Sequence, residues 1–167
     1  MIALQIKNVK NFMGKLLTSD MFDACLLSEA TITTYNTFII DGHQNQEFYT
    51  SEEWQEPSIR PYDFSMWKDM RPICFQLIKG RRTPVNFKFV LHLIPSYVES
   101  ILKDGSVSVP TDQIKALVFT LKYDSTGLTL TTGTSLHTFL PDKSLDIFWD
   151  KYSKLFLEKA GIDYEEK

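Results

Sequence analysis

Apolar residues near the start of the chain first alternate with polar ones and then take up a helical spacing. Residues 2–7 alternate with the period of a strand. A second set of apolar residues follows at the spacing i, i+3, i+4, i+7 and i+8: Val9, Phe12, Met13, Leu16 and Leu17. This pattern predicts a strand and then an amphipathic helix, for which Asn8 is a suitable N-cap.

The segment from Cys25 to Asp41 is rich in Thr, Ile, Phe and Tyr, which favour strands. It is longer than a typical strand, so we expect two strands that separate near Tyr35-Asn36. Asp41-Gly42 is a turn signal and ends the second strand. Residues 43–62 are polar and contain Pro57 and Pro61. They predict an irregular surface excursion with one helical turn.

The pattern in the middle of the chain is ambiguous. Residues 63–71 predict a short helix, which Pro72 is expected to end. Residues 73–79 and 87–93 alternate like strands, which favours a β-hairpin with a basic connection between them. The alternative, in which residues 73–79 continue the helix, stays open.

Later elements are better marked. Ser96 and Glu99 have capping-box spacing and predict a helix to Asp104, with Gly105 as its C-terminal stop. Two strands should follow, joined by a turn, and a third segment either extends the second strand or folds back: Ile114–Tyr123, Leu128–Thr132 and Ser135–Phe139.

A wide aromatic stripe predicts a long amphipathic helix over residues 143–160. Asp142 or Ser144 is expected to cap it and Gly161 to end it. Such a stripe either closes the core or forms a subunit contact. Residues 163–167 are acidic and are expected to fray.

The order of elements predicts a single globular domain over residues 1–162, of the α+β class, with a mostly antiparallel sheet and helices packed on one face. The chain can be divided into two tandem strand–helix–strand–strand repeats, residues 1–42 and residues 85–140. The irregular excursion, residues 43–62, and a linking helix and strand, residues 63–84, lie between them. This order resembles the domains of DNA sliding clamps. The likeness concerns order alone and carries little weight for function.

Two longer stretches, Ser28–Gly42 and Trp67–Pro84, resemble an uncharacterised family of clostridial Gram-positive bacteria. The resemblance extends over nearly the whole chain. It implies a bacterial cytosolic protein with no assigned activity, so no catalytic residue can be carried over to this chain.

Composition and charge exclude several classes of protein. Apolar residues make up 43% of the chain and the formal charge is −3, which suits a globular protein without bulk attraction to nucleic acid or anionic membranes. The sequence shows no basic leader and no apolar run long enough to cross a membrane, so we expect a cytoplasmic protein.

Cys25 and Cys74 are expected to be reduced core thiols. The scattered histidines and cysteines predict no metal site and no cofactor.

Lys79, Arg81 and Arg82 form the first candidate for chemistry. Three positive charges in one tight connection could hold a phosphate group through charge-assisted hydrogen bonds. The alternative is a solvated hairpin tip whose charges discourage edge-to-edge aggregation.

Asp41 and His43 form the second and weaker candidate. A carboxylate and an imidazole two residues apart could act as a general acid/base pair. The alternative is ordinary turn chemistry beside Gly42. Neither a glycine-rich nucleotide fingerprint nor a nucleophile elbow is present.

We therefore favour a cytosolic, non-enzymatic binding or assembly module. The alternative is a phosphate-ester or nucleotide-processing enzyme that combines the three basic residues with Asp41 and His43, which would require all five to line one pocket. Expected partners are a small anionic ligand, a protein or a second copy of the chain. Duplex DNA binding is not expected, because the polar faces of the two strand-linking helices carry a net charge of only +1.

Overall fold

The computed structural model describes residues 1–103 and 106–167. Within these ranges the chain forms eight strands: β1 (Ala3–Ile6), β2 (Cys25–Thr33), β3 (Thr37–Asp41), β4 (Ser65–Met66), β5 (Asn86–Leu93), β6 (Ile114–Asp124), β7 (Gly127–Leu136) and β8 (Tyr164–Glu166). It also forms five α-helices: α1 (Val9–Thr18), α2 (Ser51–Gln55), α3 (Trp67–Ile78), α4 (Pro95–Ile101) and α5 (Ser144–Lys159). Two short 3₁₀ helices cover Gln46–Phe48 and Thr111–Gln113.

All eight strands join one sheet in the order β3-β2-β5-β6-β7-β1-β8, and β4 pairs separately with β2. Each described strand pair is antiparallel. The α+β class with an antiparallel sheet is therefore confirmed. β7 runs on to Leu136, so the segment after Gly133 extends the strand and does not fold back.

One face of this sheet is covered by helices. Trp67 of α3 and Trp149 of α5 are both fully buried, and their rings lie 5.4 Å from Phe89 and 4.6 Å from Phe119. Phe22, which follows α1, packs edge-on against Phe119 at 6.0 Å. The predicted packing of helices on one face is confirmed. No helix among the described residues is both long and apolar enough to cross a membrane.

The two buried tryptophans also fix the positions of their helices. The indole N–H of Trp67 donates to the carbonyl of Leu16 in α1, and that of Trp149 donates to the carbonyl of Val118 in β6, each at 3.1 Å. Burying an indole is favourable only where its N–H finds an acceptor. These bonds therefore hold α3 against α1, and α5 against the sheet.

The opposite face of the sheet is open over much of its area. Partly exposed threonines occupy it on several strands: Thr31, Thr120, Thr129 and Thr131. Two of its lysines have acidic partners: Lys88 contacts Glu29 at 3.2 Å and Lys122 contacts Asp124 at 3.4 Å. Antiparallel sheets tolerate one solvated face, and β-branched polar residues suit it.

Both predicted halves have the order strand, helix, strand, strand, but they pair differently. In the second half, α4 connects β5 to its neighbour β6. In the first half, α1 connects β1 to β2, which lie on opposite sides of β5, β6 and β7. The likeness between the two halves is therefore one of order and does not extend to the sheet.

The prediction that Pro72 ends a helix is wrong, and so is the hairpin predicted over residues 73–93. α3 continues through Pro72 to Ile78. Pro72 is exposed, whereas Trp67 and Cys74 on the other side of the helix are fully buried. Burial of this stripe outweighs the one backbone hydrogen bond that proline removes.

The predicted capping box of α4 is also wrong. The helix begins at Pro95, whose fixed φ suits the first helical position, and Ile94 precedes it without a side-chain cap. α4 ends at Ile101; the predicted end at Asp104 and stop at Gly105 lie outside the described residues. A capping box does form at Thr50 and Glu53, where it begins α2 in the predicted irregular excursion.

The C-terminal tail is ordered as a strand, which corrects the predicted fraying of residues 163–167. Tyr164–Glu166 forms β8 and pairs with β1, and the Lys167 N–H donates to the carbonyl of Ala3 at 3.0 Å. The exposed N–H and C=O groups along the edge of β1 account for this pairing. Gly161 has the positive φ of +69° expected at the end of α5.

Candidate functional site

The three basic residues predicted to bind an anion line one cavity of about 430 Å³. The cavity lies between the C-terminal end of α3 with the connection that follows it and the turn that joins β2 to β3. Its lining residues are Thr34, Tyr35, Leu77, Ile78, Lys79, Gly80, Arg81, Arg82, Thr83 and Val85. Two segments distant in sequence therefore build it.

Local hydrogen bonds shape the basic connection. The Lys79 N–H donates to the carbonyl of Phe75 at 2.8 Å and closes the last turn of α3. Gly80 follows with a φ of +147°, which residues with a side chain rarely adopt. The Val85 N–H then donates to the carbonyl of Thr33 at 2.9 Å and attaches the connection to β2.

The charges of this connection have no counterions within the described chain. Lys79, Arg81 and Arg82 are exposed, and none of them forms an ion pair with a described residue. Arg71, further back in α3, differs because it makes two hydrogen bonds to the Asp23 carboxylate at 3.1 and 3.2 Å. The basic connection also lies at a helix C-terminus, where cations are favourable in the absence of any ligand.

Two residues of the β2–β3 turn complete the cavity. Tyr35 is 85% exposed, and its ring meets that of Phe38 edge-on at 5.8 Å. The hydroxyl oxygen of Thr34 is buried and has no hydrogen-bond partner among the described residues. Neither residue could be found from the sequence as part of the site, because neither belongs to a local motif and only the β2–β5 pairing brings the turn to the basic connection.

The Asp41–His43 pair forms as a close contact on the surface. Asp41 Oδ1 lies 2.7 Å from His43 Nδ1 and accepts the His43 backbone N–H at 3.0 Å. Both side chains are exposed. The backbone N–H of His43, followed by its side chain, lowers the pKa of Asp41 below its usual value.

The same backbone geometry recurs elsewhere in the molecule. Asp124 accepts the N–H of Thr126 at 2.9 Å, and Asp142 accepts the N–H of Ser144 at 2.6 Å. In both cases hydrogen bonds from the hydroxyl and N–H two residues ahead lower the pKa of the carboxyl. This contact is a common way for Asp to stabilise a bend. The Asp41 carboxylate is therefore held by ordinary local structure.

The structure does not bring the two candidate groups together. Asp41 and His43 are absent from the lining of the basic cavity. β3 separates them from Tyr35, and its length from Thr37 to Asp41 corresponds to about 13 Å. His43 instead packs against Phe64, with ring centres 4.4 Å apart.

Gly42 joins this end of β3 to β2 by a close approach of the two backbones. Its N–H donates to the carbonyl of Ser28, and its own carbonyl accepts the N–H of Ser65, each at 2.9 Å. A Cβ at Gly42 would lie 1.7 Å from the carbonyl oxygen of Leu27. The expected turn at Asp41-Gly42 is thus an extended segment that only glycine fits.

The remaining candidates offer little chemistry. Cys25 and Cys74 are free and buried, and burial raises the pKa of each thiol to about 12. Burial also lowers the pKa of His92, with a further contribution from Lys115. Among the described residues, no three His, Cys, Asp or Glu side chains form a group that could hold a metal ion.

An apolar groove of about 650 Å³ lies on the outer side of α5, next to α4. Ile147 and Leu155 are 67% and 45% exposed there, whereas Trp149 on the inner side is fully buried. The Tyr97 and Tyr152 hydroxyls lie 2.9 Å apart across the two helices. The inner aromatic side of α5 therefore closes the core, which is the first of the two alternatives predicted for this helix.

Comparison with known proteins gives a family and no activity. A family of unknown function, DUF5721, matches residues 15–165, which include both stretches that carry the resemblance described above. No curated protein and no solved structure shows a significant match to the chain. The expected membership of a family with no assigned activity is confirmed. Because the match spans most of the sequence, the chain belongs to the family of unknown function DUF5721.

Proposed function

We propose that the protein is a non-enzymatic binding module whose basic cavity takes a phosphate-bearing ligand. One observation carries the proposal: Lys79, Arg81 and Arg82 line a single cavity and have no ion-pair partner among the described residues. Hydrogen bonds between cationic side chains and phosphate oxygens are about twice as strong as neutral ones. A phosphate group in the cavity would supply the missing counterion.

Binding without turnover is favoured by the position of the remaining polar groups. Asp41 and His43, the acid/base pair of the enzyme alternative, do not line the cavity. The cavity residues themselves offer cations, hydroxyls and apolar surface, but no carboxylate or imidazole. General acid/base catalysis needs such a group within hydrogen-bond reach of the reacting atom.

The proposed compartment is the cytosol. Cys25 and Cys74 are both free and buried, which suits a reducing environment. The described residues contain no helix able to cross a membrane. Phosphate-bearing small molecules and nucleic acids are abundant there.

The proposal is tested by calorimetric titration with inorganic tripolyphosphate. A triple variant, Lys79→Glu, Arg81→Glu and Arg82→Glu, should lose binding. The matched control reverses three exposed lysines outside the cavity lining, Lys68→Glu, Lys115→Glu and Lys159→Glu. The control changes net charge by the same amount and should retain binding. Equal affinity in both variants, or none in the unmodified protein, would contradict the proposal.

A second measurement separates binding from catalysis. The unmodified protein incubated with nucleoside triphosphates and with p-nitrophenyl phosphate should release no phosphate above a heat-denatured sample. Phosphate release that disappears in His43→Ala would instead support the enzyme alternative.

A further inference from the structure

Building on the proposed anion-binding function, we infer that the cavity takes a single-stranded nucleic acid, one base of which stacks on Tyr35. The Tyr35 ring is 85% exposed in the turn between β2 and β3, and it lines the same cavity as the basic residues. An aromatic residue this exposed gains nothing from the core. A base laid on its face would cover it.

The Tyr35 ring is held in place for such a contact. The ring planes of Tyr35 and Phe38 cross at 84° with their centres 5.8 Å apart, a T-shaped contact that can cover at most one face of Tyr35. The turn itself is fixed by the Thr34 N–H, which donates to the carbonyl of Asn36 at 2.9 Å. A preorganised ring loses little freedom when a base stacks on it.

The other residues of the cavity match the parts of a nucleotide. Lys79, Arg81 and Arg82 supply positive charge for the phosphate backbone. Leu77, Ile78 and Val85 supply apolar surface, and Val85 is 63% exposed. Thr83, an exposed residue of the cavity lining, has a hydroxyl that can donate to or accept from the edge of a base. A free phosphate ion would contact the three cations and leave the apolar surface of the cavity uncovered.

A single strand fits this site better than a duplex does. Stacking on a protein ring requires an exposed base face, and paired bases are already stacked within a duplex. A duplex would also need a wider basic surface. Two lysines on the open face of the sheet, Lys88 and Lys122, are instead paired with Glu29 and Asp124.

The experiment compares two strands of equal charge by fluorescence anisotropy: a labelled 12-mer of deoxythymidine and a 12-mer of the same sugar–phosphate backbone without bases. The base-containing strand should bind about tenfold more tightly, which is the usual effect of one stacked base. A 12-base-pair duplex should bind more weakly than the single strand.

Variants at Tyr35 locate the effect. Tyr35→Ala should weaken binding of the thymidine 12-mer about tenfold and leave binding of the abasic 12-mer unchanged. Tyr35→Phe should stay within about twofold of the unmodified protein. The matched control is Phe48→Ala, which removes an aromatic ring that is 84% exposed and lies outside the cavity. It should leave binding of both strands unchanged.

The salt dependence of binding measures independently how many cations of the cavity contact phosphates of the strand. Three cations that neutralise phosphates of a single strand predict a slope of about −2 for the logarithm of affinity against the logarithm of salt concentration. Arg82→Gln should make that slope about 0.7 less steep. The Tyr35→Ala substitution should leave it unchanged.

The possible outcomes separate this inference from the function on which it rests. If tripolyphosphate binds but both 12-mers have equal affinity, the nucleic-acid inference is wrong and the anion-binding function stands. Stronger binding to vesicles of phosphatidylglycerol than to the thymidine 12-mer would also overturn it. If neither tripolyphosphate nor any strand binds, both proposals fail. The abasic comparison uses the unmodified protein, so it decides the matter even where a variant loses stability.

Discussion

The two groups of polar residues that the sequence marks as candidates lie near opposite ends of β3. They differ in whether their charges already have partners within the chain. At one end, Asp41 and His43 contact each other at 2.7 Å on the surface. At the other, the three cations of the basic connection have no ion-pair partner among the described residues. A ligand at the first end would have to replace an existing contact, whereas at the second it would add one.

The two ends also differ in what holds them. The Asp41 end is fixed by the backbone approach of Gly42 to β2. The cavity end depends on α3, which Trp67 anchors to α1. Substitutions at these two anchors should therefore affect the two ends separately.

The largest effect is expected for Gly42→Ala. The added Cβ would meet the Leu27 carbonyl at 1.7 Å, so the two backbones must move apart. Overpacking of this kind should lower the free energy of unfolding by about 3 kcal/mol, measured by urea denaturation. The control is Gly14→Ala in the middle of α1, where a Cβ meets nothing within 4 Å. It should stabilise the protein by up to about 1 kcal/mol, since alanine favours helix.

A loss of stability in Gly42→Ala no larger than about 0.5 kcal/mol would mean that this end of β3 adjusts easily. Binding of tripolyphosphate should be unchanged in the folded fraction of this variant, because Gly42 lies outside the cavity lining. A matching loss of binding would show that the two ends are coupled.

A smaller effect is expected for Trp67→Phe. The substitution keeps an aromatic ring against Phe89 but removes the indole N–H that donates to the buried carbonyl of Leu16. An unsatisfied buried acceptor should lower the free energy of unfolding by about 2 kcal/mol. The control is Trp54→Phe, a partly exposed ring that stacks with Arg60 at 3.6 Å, and its cost should be within about 0.5 kcal/mol.

Trp67→Phe should also weaken tripolyphosphate binding, because α3 presents the basic connection. If stability falls but binding does not, the position of the connection depends on the β2 contact at Val85 more than on α3.

The smallest effect concerns the response to acid. Hydrogen bonds from His43 lower the pKa of Asp41 below the unfolded value of 3.8, so they stabilise the folded state above that pH and are lost as the pH falls through the folded-state pKa. Asp41→Asn should therefore lose less stability than the unmodified protein between about pH 5 and pH 3. Urea denaturation at the two pH values measures this.

Asp124→Asn provides the comparison for that measurement, because Asp124 is held in the same way by Thr126. We expect the two variants to respond alike. A response confined to Asp41 would mean that the pair has a property beyond local backbone stabilisation.

Much of the fold could be predicted because periodicity reports which side of an element is buried. The separation of β2 from β3 near Tyr35 and the extent of α5 follow directly from it. Pro72 misled the prediction because its local cost was weighed without knowing that α3 buries Trp67 and Cys74 beneath it. Pairing of β8 with β1 could not be predicted, since it depends on which edge of the sheet is left free.

The candidate site was predictable only in part, for a related reason. Three basic residues in one connection are visible as a local run, so Lys79, Arg81 and Arg82 could be named. Their lack of counterions, and the approach of Thr34 and Tyr35, depend on strand pairing between distant segments. The Asp41–His43 contact was likewise local and predictable. Its resemblance to other bends became visible only from the hydrogen bonds at Asp124 and Asp142.

The position of β1 has a consequence for how the protein is made. β1 precedes both strands with which it pairs, and its register joins Ala3 to Thr131 and Leu4 to Glu166. While the ribosome extends the chain, Leu4 and Ile6 have no strand neighbour until β7 emerges. Such long-range pairing slows folding and leaves an apolar strand open to aggregation in the meantime. The sheet can therefore close around β1 only after residues 127–166 have been synthesised.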